Sequence, residues 1–286
     1  MSESLTILIA GCGDVGTTLG RQLAADGHRV YGLRRDISKL PPEIKGISAD
    51  LSQPDKLKLS LSILSSCDLL VYSAATSAPG EEGYRSAYVD GPQNLLSALP
   101  VTPKQIFFTS STGVYHQDNH GLVDETSPCQ PTGFRGQLML QAEQQLLQHS
   151  IPATIVRFSG IYGPGRNHLL SSVLAGKVAP ESPTHFSNRI HRDDCAGVLL
   201  HLINRWRQGL PLEEIYLASD DCPVSMQEIT HWLAKQLKVT VTEHHLARRA
   251  GSKRCSNARL KATGYEFKFP DYRTGYAPLL PGPTEP

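Results

Sequence analysis

Two stretches of this 286-residue chain carry residue types that bind phosphate. Gly11-Cys12-Gly13-Asp14-Val15-Gly16 has the G-x-G-x-x-G spacing. In that spacing the first glycine permits a tight turn, the second lets a pyrophosphate approach the backbone, and the third lets a helix lie close on a strand. Amides at the start of that helix, around Asp14 and Val15, then face the phosphate oxygens. Arg34 and Arg35 stand at the end of the next strand, where a site for a nucleotide without a 2'-phosphate carries an acid for the ribose hydroxyls. A guanidinium cannot accept from those hydroxyls but pairs with a 2'-phosphate in bidentate fashion. The pattern predicts NADP(H), with NAD(H) as the other candidate; the plainer alternative is two arginines facing solvent. Asp50 and Leu51 are placed to meet the adenine, although an aspartate there equally suits a helix cap, and Ala74 and Ala75 complete the expected cofactor contacts.

These residues need a frame that brings strand ends to one edge. Leu5–Ala10 is a continuous apolar run, as expected of a parallel strand covered on both faces. Val15, Leu19 and Leu23 then have helical spacing up to Ala25, and Arg29–Leu33 reads as the second strand. Further strands are expected at Gly46–Ala49, Asp68–Ser73, Gln105–Thr109, Ala153–Phe158 and Glu214–Leu217, with helices near Gly91–Leu99 and over Gln137–Gln148. This alternation predicts an α/β fold, a Rossmann doubly wound parallel sheet with a smaller C-terminal α/β substrate lobe. The first domain takes residues 1–158 and about 189–222, and the lobe takes about 159–188 and 223–286. Ligands of such sheets bind beyond the carboxyl ends of the strands, where the motifs fall.

Composition narrows the partners. A formal charge of +1 provides no basic field to gather nucleic acid or an anionic membrane, which leaves a small molecule as the expected partner and a homodimer as a compatible assembly. No run approaches the roughly 20 apolar residues of a membrane span. Leu5–Ala10 is too short and lacks the basic flank of a signal peptide. The six cysteines form no C-x-x-C pair, so no metal site is predicted, and they read as reduced thiols of a cytoplasmic protein. Pro278, Pro281, Pro283 and Pro286 suggest a loose tail.

Five segments together resemble the extended, atypical short-chain dehydrogenase/reductases of the NAD-dependent epimerase/dehydratase family. They are the opening turn, Gly91-Pro92-Gln93-Asn94-Leu95-Leu96, Phe108–Tyr115, Arg157–Gly165 and Arg189–Ala196. The resemblance implies that Ser111, in Ser110-Ser111-x-x-Val114-Tyr115, polarises the reacting carbonyl or hydroxyl; a serine satisfying backbone groups at a strand end is the plainer reading. It implies that Arg157-x-x-x-x-Tyr162-Gly163-Pro164-Gly165 runs past the nicotinamide, which brings Arg157 to the cofactor. Asp194 is expected to cap a helix beginning near Cys195. Arg248-Arg249 and Lys253-Arg254 form a basic cluster that suits an anionic substrate group, although a solvated face explains it too.

The chain departs from the family where proton transfer is carried out. Counting back from Glu143, the family's catalytic tyrosine falls on Arg135 and its lysine on Met139, and no Y-x-x-x-K occurs anywhere. Arginine titrates far above neutrality, so Arg135 can polarise an oxygen but hardly relay a proton. Asp90, His116 and Tyr162 are the candidate substitutes, His116 because imidazole titrates near neutrality. The expected function is an NADP(H)-binding, epimerase/dehydratase-like oxidoreductase acting on a carbonyl or secondary alcohol, of a sugar or nucleotide sugar by resemblance, with a degenerate active site. The alternative is a non-catalytic NADP(H)-binding sensor or partner protein.

Overall fold

The computed structural model describes residues 4–76, 78–244 and 251–281. Arg248, Arg249, Pro283 and Pro286 lie outside the described residues. Seven strands form the central sheet: β1 (Thr6–Ala10), β2 (Arg29–Arg34), β3 (Lys45–Ser48), β4 (Leu69–Tyr72), β5 (Gln105–Ser111), β6 (Ala153–Phe158) and β7 (Ile215–Ala218). Their order across the sheet is β7-β6-β5-β4-β1-β2-β3. Ile7 pairs with Val30 on one side and Leu69 on the other, both parallel. Bonds from Ile155 N to Glu214 O and from Ser159 N to Ala218 O advance together along β6 and β7, which is also parallel. This is the expected doubly wound sheet, and the order reverses between β1 and β4.

The central strands β1 and β4 are where continuous apolar runs predicted them, because a strand covered on both faces buries every side chain, whereas the edge strand β3 buries only Ile47. Thr6–Ala10 and Leu69–Tyr72 are buried throughout. The helices are α1 (Asp14–Ala25), α2 (Pro54–Leu61), α3 (Gly80–Arg85), α4 (Gly91–Ala98), α5 (Phe134–Leu147), α6 (His168–Leu174), α7 (Arg192–Arg207), α8 (Met226–Leu237), α9 (Ala258–Ala262) and α10 (Tyr272–Tyr276). A π-helical turn, Ser86–Asp90, joins α3 to α4. It lets Tyr72 Oη donate to Ala87 O, and a side chain at Gly91 would strike that phenol.

The chain divides into two compact units. The first holds the residues up to Val114 with Cys129–Arg157 and Ala196–Tyr216, and the second holds Tyr115–Pro128, Phe158–Cys195 and the residues from Leu217 onward. Residues 115–128, 189–195 and 217–222 therefore stand in the second unit, where the sequence reading puts them in the first. The second unit has its own core, in which Leu170, Val173, Ile229, Leu233 and Tyr272 pack together. Among the described residues no helix is long and apolar enough to cross a membrane.

Candidate functional site

At the switch between β1 and β4 the chain makes the glycine turn. Gly11 has φ +81°, and a Cβ on it would lie 2.2 Å from the backbone N and Cα of Ala74. Only glycine fits there, and Ala74 is the residue that closes on it. The amides of Gly11 and Cys12 donate to Leu33 O at 3.0 and 3.2 Å, which ties the turn to β2. A Cβ on Gly16 would meet Gly11 O, Ile9 Cγ2 and Ser73 Oγ, each at 3.0 Å, so α1 lies hard against β1 and β4. Gly13 differs: it is exposed, and the nearest atom to its Cβ position is 3.9 Å away. The turn thus has room where a pyrophosphate needs it, and Gly13 provides no side chain to cap the first amides of α1. One of those amides, Val15 N, is already taken by Asp14 Oδ1 at 2.9 Å.

Arg34 ends β2 half-buried and donates from its guanidinium to Cys12 O at 3.0 Å. The cation is therefore held at the phosphate turn rather than waving in solvent. Arg35 is exposed. Asp50 is not a helix cap, since Gln53 precedes α2; its Oδ1 accepts from Ser52 N at 2.9 Å and Ser52 Oγ at 2.8 Å in a local turn. Those two bonds and the nearby Arg35 charge hold its carboxyl below the usual range. Leu51 O accepts from Asn94 Nδ2 at 2.9 Å, and Ala75 is exposed beyond β4. Ser73, which the sequence reading passes over, donates from Oγ to Gly11 O at 3.0 Å. Nothing in the sequence marks it except its place one residue beyond a buried strand.

β5 delivers Ser110 and Ser111 to opposite faces. Ser111 is half-exposed, and its Oγ accepts from Gly113 N at 3.1 Å, which leaves its hydroxyl hydrogen for another acceptor. Ser110 is buried and donates to Glu143 Oε1. Arg157 is 3% exposed, and it donates from Nε to both Glu143 oxygens at 3.0 and 3.2 Å and from Nη2 to Oε2 at 2.7 Å. Ser110, Glu143 and Arg157 form one buried network that fixes α5 to the sheet.

On α5 the two positions that the resemblance assigns to the tyrosine and lysine differ in environment. Arg135 is exposed and its guanidinium carbon lies 5.6 Å from the Phe134 ring centre, whereas Met139 is 3% exposed in the core. Asp90 is exposed at the end of the π-helical turn. His116 is exposed in the second unit. Tyr162 is buried, its ring stacks on Tyr276, and burial followed by the Asp220 charge drives its phenol far above its usual range.

The second unit holds further departures from expectation. Helix α7 starts at Arg192, so Asp194 is no cap. Its carboxylate instead accepts from Tyr265 Oη at 2.9 Å, Lys268 N at 2.8 Å and Phe269 N at 3.0 Å. Lys253 is no solvated residue either; it is 8% exposed, with Nζ donating to Tyr115 O at 3.2 Å. Asp220 is 1% exposed, and burial raises its carboxyl to about 8. Its Oδ1 accepts from Cys222 N at 3.2 Å, while Oδ2 has no partner among the described residues.

A seven-stranded parallel sheet with a glycine turn at its switch point defines a Rossmann-type α/β protein. Residues 7–220 match the model of the NAD dependent epimerase/dehydratase family, and the chain belongs to that family. A structure from Methylobacillus flagellatus assigned as an NAD-dependent epimerase/dehydratase shares 38% identity, with a TM-score of 0.82 over 97% of this chain and 98% of that one. A conserved protein of unknown function from Silicibacter pomeroyi is 25% identical, with a TM-score of 0.76 over 95% and 96% of the two chains. UDP-glucose 4-epimerase with UDP-glucose from Thermotoga maritima has a TM-score of 0.80 over 95% and 96% at 15% identity, a likeness of fold. No curated protein matches the chain.

Proposed function

We propose that the first unit binds NADP(H) in preference to NAD(H) and that the protein is an oxidoreductase of the epimerase/dehydratase type acting on a carbonyl or secondary alcohol. The observation that carries the cofactor reading is Arg34, whose guanidinium is bonded to Cys12 O at the turn. An acid there would bind ribose hydroxyls; a guanidinium favours a 2'-phosphate. The open space over Gly13 and the uncapped start of α1 suit the pyrophosphate. A nicotinamide bound at this edge supplies two-electron redox chemistry. The chain's own contribution is polarisation by the Ser111 hydroxyl, whose oxygen is held by Gly113 N. A fold neighbour, the UDP-glucose 4-epimerase with UDP-glucose, supports a sugar or nucleotide-sugar substrate.

Fluorescence titration with NADPH and NADH tests the preference. Wild type is expected to favour NADPH, and Arg34→Ala, alone or with Arg35→Ala, to weaken NADPH about tenfold or more while leaving NADH unchanged, since a charge-assisted pair contributes about 1.5–3 kcal/mol. Equal or tighter NADH binding by wild type overturns the reading. Ser111→Ala should lower turnover of a defined substrate without changing NADPH affinity.

A second reading is favoured by one observation: exposed Arg135 and buried Met139 leave α5 without a proton-relaying pair. On that reading the protein is a non-catalytic NADP(H) sensor, whose partner affinity follows the cofactor's redox state. Substrate-dependent oxidation of NADPH by the purified protein removes its support.

A further inference from the structure

The glycine turn carries an acid at the place that suits a pyrophosphate. Gly13 precedes α1 and offers no side chain to the first amides of the helix, and Asp14 is the acid of its first turn. Val15 N, one of those amides, donates to Asp14 Oδ1 at 2.9 Å. The chain thus bonds one of its own anions to a group that a phosphate oxygen would use.

Three features make this contact a competitor rather than a fixture. It is local: Oδ1 belongs to the residue just before Val15, so a change of side-chain rotamer at Asp14 releases the amide. It is accessible: Gly13 and Asp14 are both exposed, and a Cβ on Gly13 would have no neighbour nearer than 3.9 Å. The backbone beneath it is fixed. Gly11 N and Cys12 N donate to Leu33 O, Thr17 N donates to Gly13 O at 2.8 Å, and Gly16 is wedged against Gly11 O, Ile9 and Ser73. The turn keeps its shape, and the side chain is the part that can yield.

The electrostatics has the same direction. The start of a helix carries about half a positive charge, which the Asp14 carboxylate partly offsets. Once displaced, that carboxylate stays tethered to the first residue of the helix, beside a diphosphate of its own sign, and repels it.

We propose that Asp14 is an autoinhibitory acid of the dinucleotide site. Its carboxylate occupies Val15 N, must leave it before a pyrophosphate can bind there, and lowers the affinity for either nicotinamide nucleotide. The proposal rests on the reading of the first unit as a nicotinamide-nucleotide binder and adds what sets how readily that site fills.

Full-length wild type, Asp14→Ala and Asp14→Asn are titrated with NADPH and with NADH, following nucleotide fluorescence, and are melted without nucleotide. Asp14→Ala should bind both nucleotides about tenfold more tightly, by one common factor, because the pyrophosphate is common to them. Asp14→Asn keeps an acceptor for Val15 N but loses the charge, and should fall between. The melting temperature of Asp14→Ala should drop slightly, since α1 loses the acid of its first turn. The opposite signs separate the roles: removal of an acid that only supports the helix would lower melting temperature and affinity together. Wild-type binding that Asp14→Ala leaves unchanged or weakens overturns this proposal alone. Binding of neither nucleotide by any of the three proteins overturns the cofactor reading as well. Tightening of both nucleotides in a protein that prefers NADH upholds the role of Asp14 and overturns only the 2'-phosphate reading.

Discussion

Removing the Arg157 guanidinium by Arg157→Met should destabilise the protein strongly without touching the cofactor. The pair it breaks is almost wholly enclosed, with side-chain exposures of 4% for Arg157 and 1% for Glu143. Three N–H donations hold the carboxylate, and Ser110 adds a fourth contact. Taking away one partner of such a pair leaves the other charge desolvated and unpaired, which costs about 3–5 kcal/mol. At roughly 2–4 °C per kcal/mol for a sizeable domain, the midpoint of thermal unfolding should fall by about 10 °C. Glu143→Met should do comparable damage from the other side. The double variant should recover most of the loss, because two apolar side chains of similar length refill the space, and the partner that Ser110 loses costs about 1 kcal/mol. Urea unfolding of the three variants gives the coupling energy directly, and NADPH titration below the unfolding transition should give an unchanged affinity for Arg157→Met. Additive single-variant losses would refute the pairing argument. Normal stability with weakened NADPH binding would return Arg157 to the cofactor.

Asp220 should make the protein less stable as pH rises. Its carboxyl is lifted by burial to about 8, with Arg189 opposing and Asp221 and Asp271 reinforcing the shift, so the folded state keeps a proton that the unfolded chain releases near 4. That stability is fully present below the ordinary carboxylate range and lost up to about pH 8, at roughly 1 kcal/mol per pH unit. Asp220→Asn should flatten the dependence of melting temperature on pH between 5 and 8, and an unaltered slope would clear Asp220 of any part in it. Met139→Lys, which restores the family's lysine, should cost about 3 kcal/mol or more by placing an ammonium at a position only 3% exposed, whereas Arg135→Tyr should stay within about 0.5 kcal/mol; chemical denaturation separates the two. Gly11→Ala combines a Cβ 2.2 Å from Ala74 with φ +81°, and loss of the folded signal or of NADPH binding is expected.

The sheet was legible in the sequence because buried parallel strands have to be apolar at every position. Helix α2 was not, for an instructive reason. Leu57, Leu59 and Leu61 alternate as a strand would, yet Leu57 and Leu61 are buried one helical turn apart while Leu59 is 76% exposed. The run Gly80–Asp90 buries little beyond Val89, so it carries no apolar stripe to read. Helix α5 begins at Phe134, three residues before the expected start, since Gly136 argues against a helix and packs under Pro131 all the same. Asp194 was misread because its true partners, Tyr265, Lys268 and Phe269, lie more than seventy residues away along the chain. The glycine turn needs only six adjacent residues and its strand-to-helix geometry was legible, whereas the burial of Arg157 depends on Glu143, which faces it from another element.

The spacing of residues on α5 also explains how the helix is fixed to the sheet. Positions 135, 139 and 143 follow one another at intervals of four, so they lie along one face of α5. At its inner end that face is fixed by Glu143 to Arg157 and Ser110, and in its middle Met139 is part of the core. At its outer end Arg135 is free of the packing and exposed. A lysine in the middle position would need a polar cavity that Met139 has closed, and closing it favours stability. On this face of the helix the exposed position, Arg135, bears a permanently charged group, while Gln137 and Gln144 are exposed elsewhere along it. On the proposed reading the polarising group of the first unit is Ser111, whose Oγ accepts from Gly113 N, and any acid-base chemistry is assigned to residues off α5.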